Sequence, residues 1–312
     1  MNRVFLDLAR RLDHDVGHIL LAGVSGSGKT QGLGLVAREK MGNPLTGLHV
    51  VDPDGQLCPM CCDYLASPRT PSAVRARMVH YLYPASPTHT FALPLLHVPE
   101  RTLQRCVEQA LRTLTIFEQA VTVGAGDYGP RLSKLFFLGC LGLAVTGRPL
   151  IDLPDLFTRG SSHLRSIIGD QLPYRFLADE WGSLDLLSDR VFLEYRDPLM
   201  SRLMPIFGNP ILRRLFGPQP PIDIAATLRQ RDIVLLNLGG LEHKDAVLVG
   251  KAYVSLLYHA ALQREPDIEP HACVIIDEVF DYVTVDLARG FDRLRKRNIQ
   301  LCIALQRLGQ LQ

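Results

Sequence analysis

The chain lacks a run long enough to cross a bilayer, a strong net charge and a cysteine framework, and each absence removes a class of protein. Its most apolar stretch, residues 135–145 of 312, is broken by Gly139 and Gly142 and falls far short of the roughly 20 residues of a spanning helix. That stretch reads as buried helix, and no transmembrane segment is expected. A formal net charge of +2 is too small to attract a polynucleotide through a global field, so any such contact must rest on local patches. The seven cysteines, at 58, 61, 62, 106, 140, 273 and 302, are odd in number and mostly scattered, and a secretory leader is not expected. A disulfide framework is therefore not expected, and a reducing cytoplasm is the simplest home. Cys58, Cys61 and Cys62 invite a zinc reading, but no second cysteine pair follows at finger spacing and His80 and His89 are distant, which leaves the pattern incomplete. The remainder, 47% hydrophobic and 21% charged residues, is ordinary globular composition, enough for one large domain or a domain with an insertion.

The chemistry-bearing stretch is Gly23-Val24-Ser25-Gly26-Ser27-Gly28-Lys29-Thr30, which fits the phosphate-loop pattern G-x-x-x-x-G-K-[ST]. An apolar run at 18–22 precedes it as a buried strand, and 30–41 comes after it as a helix. Phosphate oxygens need backbone N–H groups aimed at them. Gly23, Gly26 and Gly28 let the main chain turn tightly and come close, while the helix N-terminus adds its partial positive charge. The nucleotide set is thus Gly23, Ser25, Gly26, Ser27, Gly28, Lys29, Thr30 and Gln31. Lys29 is placed on the β- and γ-phosphates and the Thr30 hydroxyl on Mg²⁺.

Further strands are expected at 48–51, 78–83, 232–238, 271–276 and 299–305, and a long helix at 242–264. Between about 100 and 220 the texture is helical, with tracts at 103–117, 131–146, 153–168 and 185–206. His163 and Trp181, in this region, read as packing or surface residues. The division is 1–99, 100–220 and 221–312: two parts of one α/β core flanking a mostly helical insertion. The strand at 48–51 ends in Asp52-Pro53-Asp54-Gly55. That turn either lies beside the nucleotide, as strand ends in open α/β sheets do, or is an ordinary Pro-Asp-Gly turn. The strand at 271–276 ends in Asp277 and Glu278. A phosphate-loop enzyme needs an acid to hold Mg²⁺, here Asp277, and a base to orient water, here Glu278. The helix beyond it crowds Arg289, Arg293, Arg295, Lys296 and Arg297 around an apolar stripe. This is either a solvated face or the source of an arginine acting across a subunit boundary. Gln306, at the next strand tip, is either a γ-phosphate sensor or a turn residue.

The assembled pattern resembles the HerA/FtsK superfamily of ring-forming ATPases, especially the conjugative DNA-transfer coupling proteins of TraG/TraD type. Beyond the two nucleotide motifs, the resemblance is carried by 51–57, by Tyr128-Gly129-Pro130-Arg131-Leu132, and by 294–298 with 304–311. Departures are Asn298 where the family has glycine, Gln56 for an acid and Tyr128 for Trp. The resemblance implies a RecA-like P-loop core interrupted by an all-α insertion. It implies ATP and Mg²⁺ as cofactors and a homohexamer with DNA in its channel, bound through phosphates without sequence preference. It also implies Arg295 as the finger on a neighbour's nucleotide, Gln306 as the sensor, and conjugation or secretion machinery as partner. The family continues with further strands past the position of Gln312, and many members carry a membrane anchor before the phosphate loop. The expectation is a soluble form lacking the C-terminal part of the sheet. Two other readings stay open: a secretion-system ATPase energising protein export or pilus assembly, and a truncated module that binds ATP without turning it over.

Overall fold

A computed structural model describes residues 17–24, 26–121, 129–218, 221–265, 269–282 and 285–305. The described chain falls into two compact units, Thr90–Ile222 and the segments Met1–His89 and Asp223–Gln312.

The two-segment unit is built on a parallel sheet. In chain order it comprises β1 (Ile19–Ala22), α1 (Lys29–Gly42), β2 (Thr46–Asp52), α2 (Leu57–Ala66), α3 (Ser72–Arg75) and β3 (Val79–Leu82). The second unit supplies α4 (Leu103–Val121), α5 (Pro130–Thr146), α6 (Ser162–Gln171), α7 (Arg175–Leu186), α8 (Asp189–Phe207) and α9 (Pro210–Leu215). The first unit resumes with α10 (Ile224–Gln230), β4 (Ile233–Asn237), α11 (His243–Leu262), β5 (His271–Ile276), α12 (Val285–Arg295) and β6 (Ile299–Leu305). The strand order is β1-β6-β5-β2-β4-β3, and every pairing is parallel. Parallel neighbours require crossovers, and the helices between strands supply them.

Strands covered on both faces read as continuous apolar runs rather than alternating ones. All seven residues of β2 are buried, as are all five of β4 and all seven of β6. Leu48 and Val50 join Leu33, Ala37, Met41, Leu57 and Cys61 in one core layer. His49, alternating to the other face, shares a hydrogen bond of 2.7 Å with the hydroxyl of Tyr253 on α11. Burial pushes the His49 pKa down to about 3, so the ring stays neutral between its strands. Among the described residues β1 is an edge, paired with β6 alone.

In the Thr90–Ile222 unit the named elements are helical. Phe117 packs on Phe136 and Phe216 at centroid distances of 4.9 and 6.1 Å. Trp181, 1% exposed, sits 5.9 Å from Phe157. Arg165 is equally buried; its guanidinium pairs with Asp185 and donates to the carbonyls of Leu156 and Thr158 at 2.7 Å. This is how a buried charge is tolerated. The helix expected over 153–168 is not formed as one piece: three 3₁₀ turns occupy Leu150–Asp152, Pro154–Phe157 and Arg159–Ser161 before α6 begins. The run is interrupted at Thr158, whose backbone is extended at φ −104°, ψ 150°, and Gly160 weakens any helix drawn through it. No helix among the described residues is long and apolar enough to cross a membrane.

Candidate nucleotide site

Because all six strands run the same way, the ends of β1, β2, β4 and β5 converge on one edge of the sheet, where open α/β folds place their ligands. The phosphate loop leaves β1 there. It is tied to the end of β6 by the Gly23 N–H donating to Leu305 O at 3.2 Å. Gly28 begins α1 in the left-handed region, φ 87°, where an L side chain is strained. A Cβ on Gly23 would stand 2.6 Å from Ser27 Oγ, so a side chain here would have to displace the Ser27 hydroxyl. Lys29 Nζ donates to the carbonyls of Gly23 and Val24 at 2.8 and 3.2 Å, which holds the ammonium over the loop's own turn. Gly26 and Ser27 stand exposed at the loop's crest, and Gln31 is exposed in the first turn of α1. Ser25 lies outside the described residues, as does Gln306.

Across β6 from the loop, Asp277 directly follows β5. Its carboxylate gathers two donors: Thr30 Oγ1 at 2.9 Å and the Glu278 N–H at 3.0 Å. The Thr30–Asp277 contact joins residues that are 247 apart in sequence. A hydroxyl and a carboxylate side by side are the hard oxygen donors that Mg²⁺ accepts. Thr30 and Asp277 are the side chains that would hold the ion, beside the phosphates of a bound nucleotide. When bound, the ion neutralises charge on the β- and γ-phosphates.

Glu278 adopts φ 45°, ψ 50°. A non-glycine residue there stores on the order of 1–3 kcal/mol of backbone strain, a cost that clusters at functional positions. The next turn, Val279–Asp281, leads into Tyr282, which is 1% exposed.

The Asp52 turn divides its labour. Asp52 is buried, and its carboxylate accepts from the Gln56 and Cys58 N–H groups at 3.2 and 2.7 Å, fixing the start of α2. Burial raises its pKa, and these backbone bonds hold it back. Asp54 instead lines a cavity of about 340 Å³ together with His243, Glu278, Asp281 and Tyr282. Asp54 is visible in the Asp-Pro-Asp-Gly turn, whereas His243, Asp281 and Tyr282 carry no motif and only the fold assembles them. Cys58 and Cys61 point into the core with thiols pushed up by burial, Cys61 to about 12. They are apolar packing residues rather than thiolates.

Arg295 stands apart from all of these. It ends α12, just before β6 begins at Ile299, and is exposed. The phosphate loop meets β6 at its other end, Leu305. Seven strand residues at roughly 3.3 Å each put on the order of 20 Å between the two ends. Gly290 and Leu294 turn α12's packing face inward, with Gly290 against the Tyr258 ring and Leu294 fully buried. Arg293, Arg295 and Lys296 face out.

A Gly-rich loop between a parallel strand and a helix, facing an acid at the tip of the next strand but one, defines a RecA-like P-loop fold. Solved structures agree with it. Plasmid coupling protein TrwB in complex with a non-hydrolysable GTP analogue superposes at TM-score 0.62 with 15% identity, over 96% of this chain and 65% of that one. TrwB with ADP and Mg²⁺ gives 0.61 at 15%, over 95% and 66%. VirB4 of Thermoanaerobacter pseudethanolicus gives 0.54 at 13%, over 94% and 70%. The chain thus spans about 65% of the length of the first TrwB structure, and the likeness is one of fold. No family model and no curated protein sequence matches the chain.

Proposed function

We propose that this chain is an ATP-hydrolysing ring motor of the DNA-transfer coupling kind, working in the cytoplasm as a homohexamer with its nucleotides at subunit boundaries. In this reading the N–H groups of Ser25, Gly26, Ser27, Gly28 and Gln31 cradle phosphate, and Lys29 leaves the loop carbonyls for the β- and γ-phosphates. Thr30 and Asp277 hold Mg²⁺. Glu278 orients the attacking water, Gln306 senses the γ-phosphate, and Arg295 of an adjacent copy stabilises charge on the transferring group.

The observation that carries the proposal is the separation of Arg295 from its own phosphate loop by the length of β6. An exposed arginine at that end of the sheet reaches a nucleotide only on another copy. A finger acting in trans makes hydrolysis depend on the ring, which couples chemistry to subunit motion. DNA would be gripped through its phosphates by local basic patches, since the net charge is only +2.

ATP turnover measured over a range of protein concentrations, with and without DNA, tests the proposal. Specific activity is expected to rise steeply with concentration and again with DNA, the DNA response falling as salt rises. Turnover that responds to concentration but ignores DNA favours a secretion-system ATPase that moves protein. ATP binding without turnover under every condition favours a nucleotide-binding module.

A further inference from the structure

The cavity beside Glu278 holds three carboxylates from two turns, the one after β2 and the one after β5. Asp54 follows β2, Glu278 follows β5, and Asp281 closes the 3₁₀ turn. Like charges sharing one pocket repel, and such a pocket favours a cation. Lys251 lies near enough to Asp281 to interact with its charge. Among the described residues Asp54 has no ion-pair or hydrogen-bond partner.

A second feature of the cavity points to an occupant. Tyr282 lines it and is 1% exposed, yet among the described residues its hydroxyl has no hydrogen-bond partner. Its ring packs closely against Gly250 of α11, where an added Cβ would collide with the ring edge. A phenol oxygen at the cavity, with no protein partner among the described residues, is available to accept from a donor that enters it. Spread-out acceptors in about 340 Å³ suit a flat cation with several N–H groups, which is the shape of guanidinium.

The chain displays such groups itself. Arg293 and Arg295 are exposed on the last turn of α12 and have no ion-pair or hydrogen-bond partner for their side chains among the described residues. They sit at the opposite end of the sheet from the cavity, so they cannot fill it in their own chain. We propose that the Asp54–Asp281–Tyr282 cavity is the receptor for an α12 arginine of a second copy, which it holds beside Glu278. The contact is head-to-tail, the kind that closes into a ring, and it rests on the shared-site reading of the proposed function. It adds a docking point on the protein, separate from the phosphate that the finger meets when nucleotide is bound.

The test is sedimentation velocity without nucleotide over a range of concentrations, on the wild type, Asp54→Lys, Tyr282→Phe, Arg293→Glu and Arg295→Glu, and on Asp54→Lys combined with each arginine reversal. Thermal melts confirm folding of each variant. Asp54→Lys is expected to weaken self-association at least about tenfold, and Tyr282→Phe by a smaller factor. One of the two double reversals should return association to near the wild-type value while neither of its single changes does. Assembly of Asp54→Lys at wild-type concentrations, or the failure of both double reversals to restore it, overturns the receptor and leaves the shared site standing. A wild-type chain that stays monomeric at every concentration, with or without ATP, sinks the shared-site reading and the receptor together.

Discussion

Arg295→Ala is expected to bind ATP as tightly as the wild type and to hydrolyse it at least about a thousandfold more slowly, the range over which a finger arginine acts on phosphoryl transfer. Binding should survive because every group that touches the nucleotide's own cradle, from Gly23 to Thr30, lies at the other end of β6. Folding should survive as well. Arg295 is exposed, and its backbone carbonyl, which accepts from the Asn298 N–H at 3.1 Å, is untouched by the change. Equilibrium binding of a fluorescent ATP analogue beside steady-state turnover separates the two effects. Turnover at the wild-type rate would remove Arg295 from the mechanism, and a parallel loss of binding would mean that it acts on the ground state.

Glu278→Gln should produce the second large effect, a fall of roughly 10²–10⁴ in kcat with ATP retained on the protein, the range expected when a positioned base is removed. The amide keeps the size of the side chain and cannot accept a proton from water. Neither residue relieves the left-handed backbone at φ 45°, so stability should change little. The Asp277 side chain keeps the N–H it accepts from position 278, which leaves the Thr30–Asp277 pair in place for Mg²⁺. Rapid filtration of bound, unhydrolysed ATP distinguishes this outcome from a protein that has lost its nucleotide.

The parts of this molecule legible in sequence are those whose signal is local. A strand buried on both faces must be apolar throughout, so β2, β4, β5 and β6 announce themselves. The phosphate loop needs its glycines and lysine consecutively, so it too is written in one line. Asn298 sits at φ 58°, a conformation that asparagine tolerates better than other side chains. Its side-chain amide donates to Glu269 O at 3.1 Å, which helps to hold the turn between α12 and β6.

The features that stay hidden depend on strands from distant segments meeting. Thr30 and Asp277 are far apart in the chain, and their approach comes from β6 entering between β1 and β5. The cavity of Asp54, His243, Asp281 and Tyr282 has no periodicity or motif to betray it. The region 150–161 misleads for a different reason: its apolar spacing is helical, but the extended backbone of Thr158 and the weak helix propensity of Gly160 act on the backbone rather than on the pattern.

The central claim, that two copies build one active site, is tested most directly by mixing Lys29→Ala with Arg295→Ala. Each variant alone should be inactive, the first because its own cradle has lost the ammonium, the second because it offers no finger. In a mixture some boundaries pair an intact loop from Arg295→Ala with an intact arginine from Lys29→Ala. Turnover should therefore appear, pass through a maximum near equal proportions, and vanish on dilution. A mixture that stays inactive at every ratio while the wild type turns over ATP at a rate independent of its concentration would contradict the shared site.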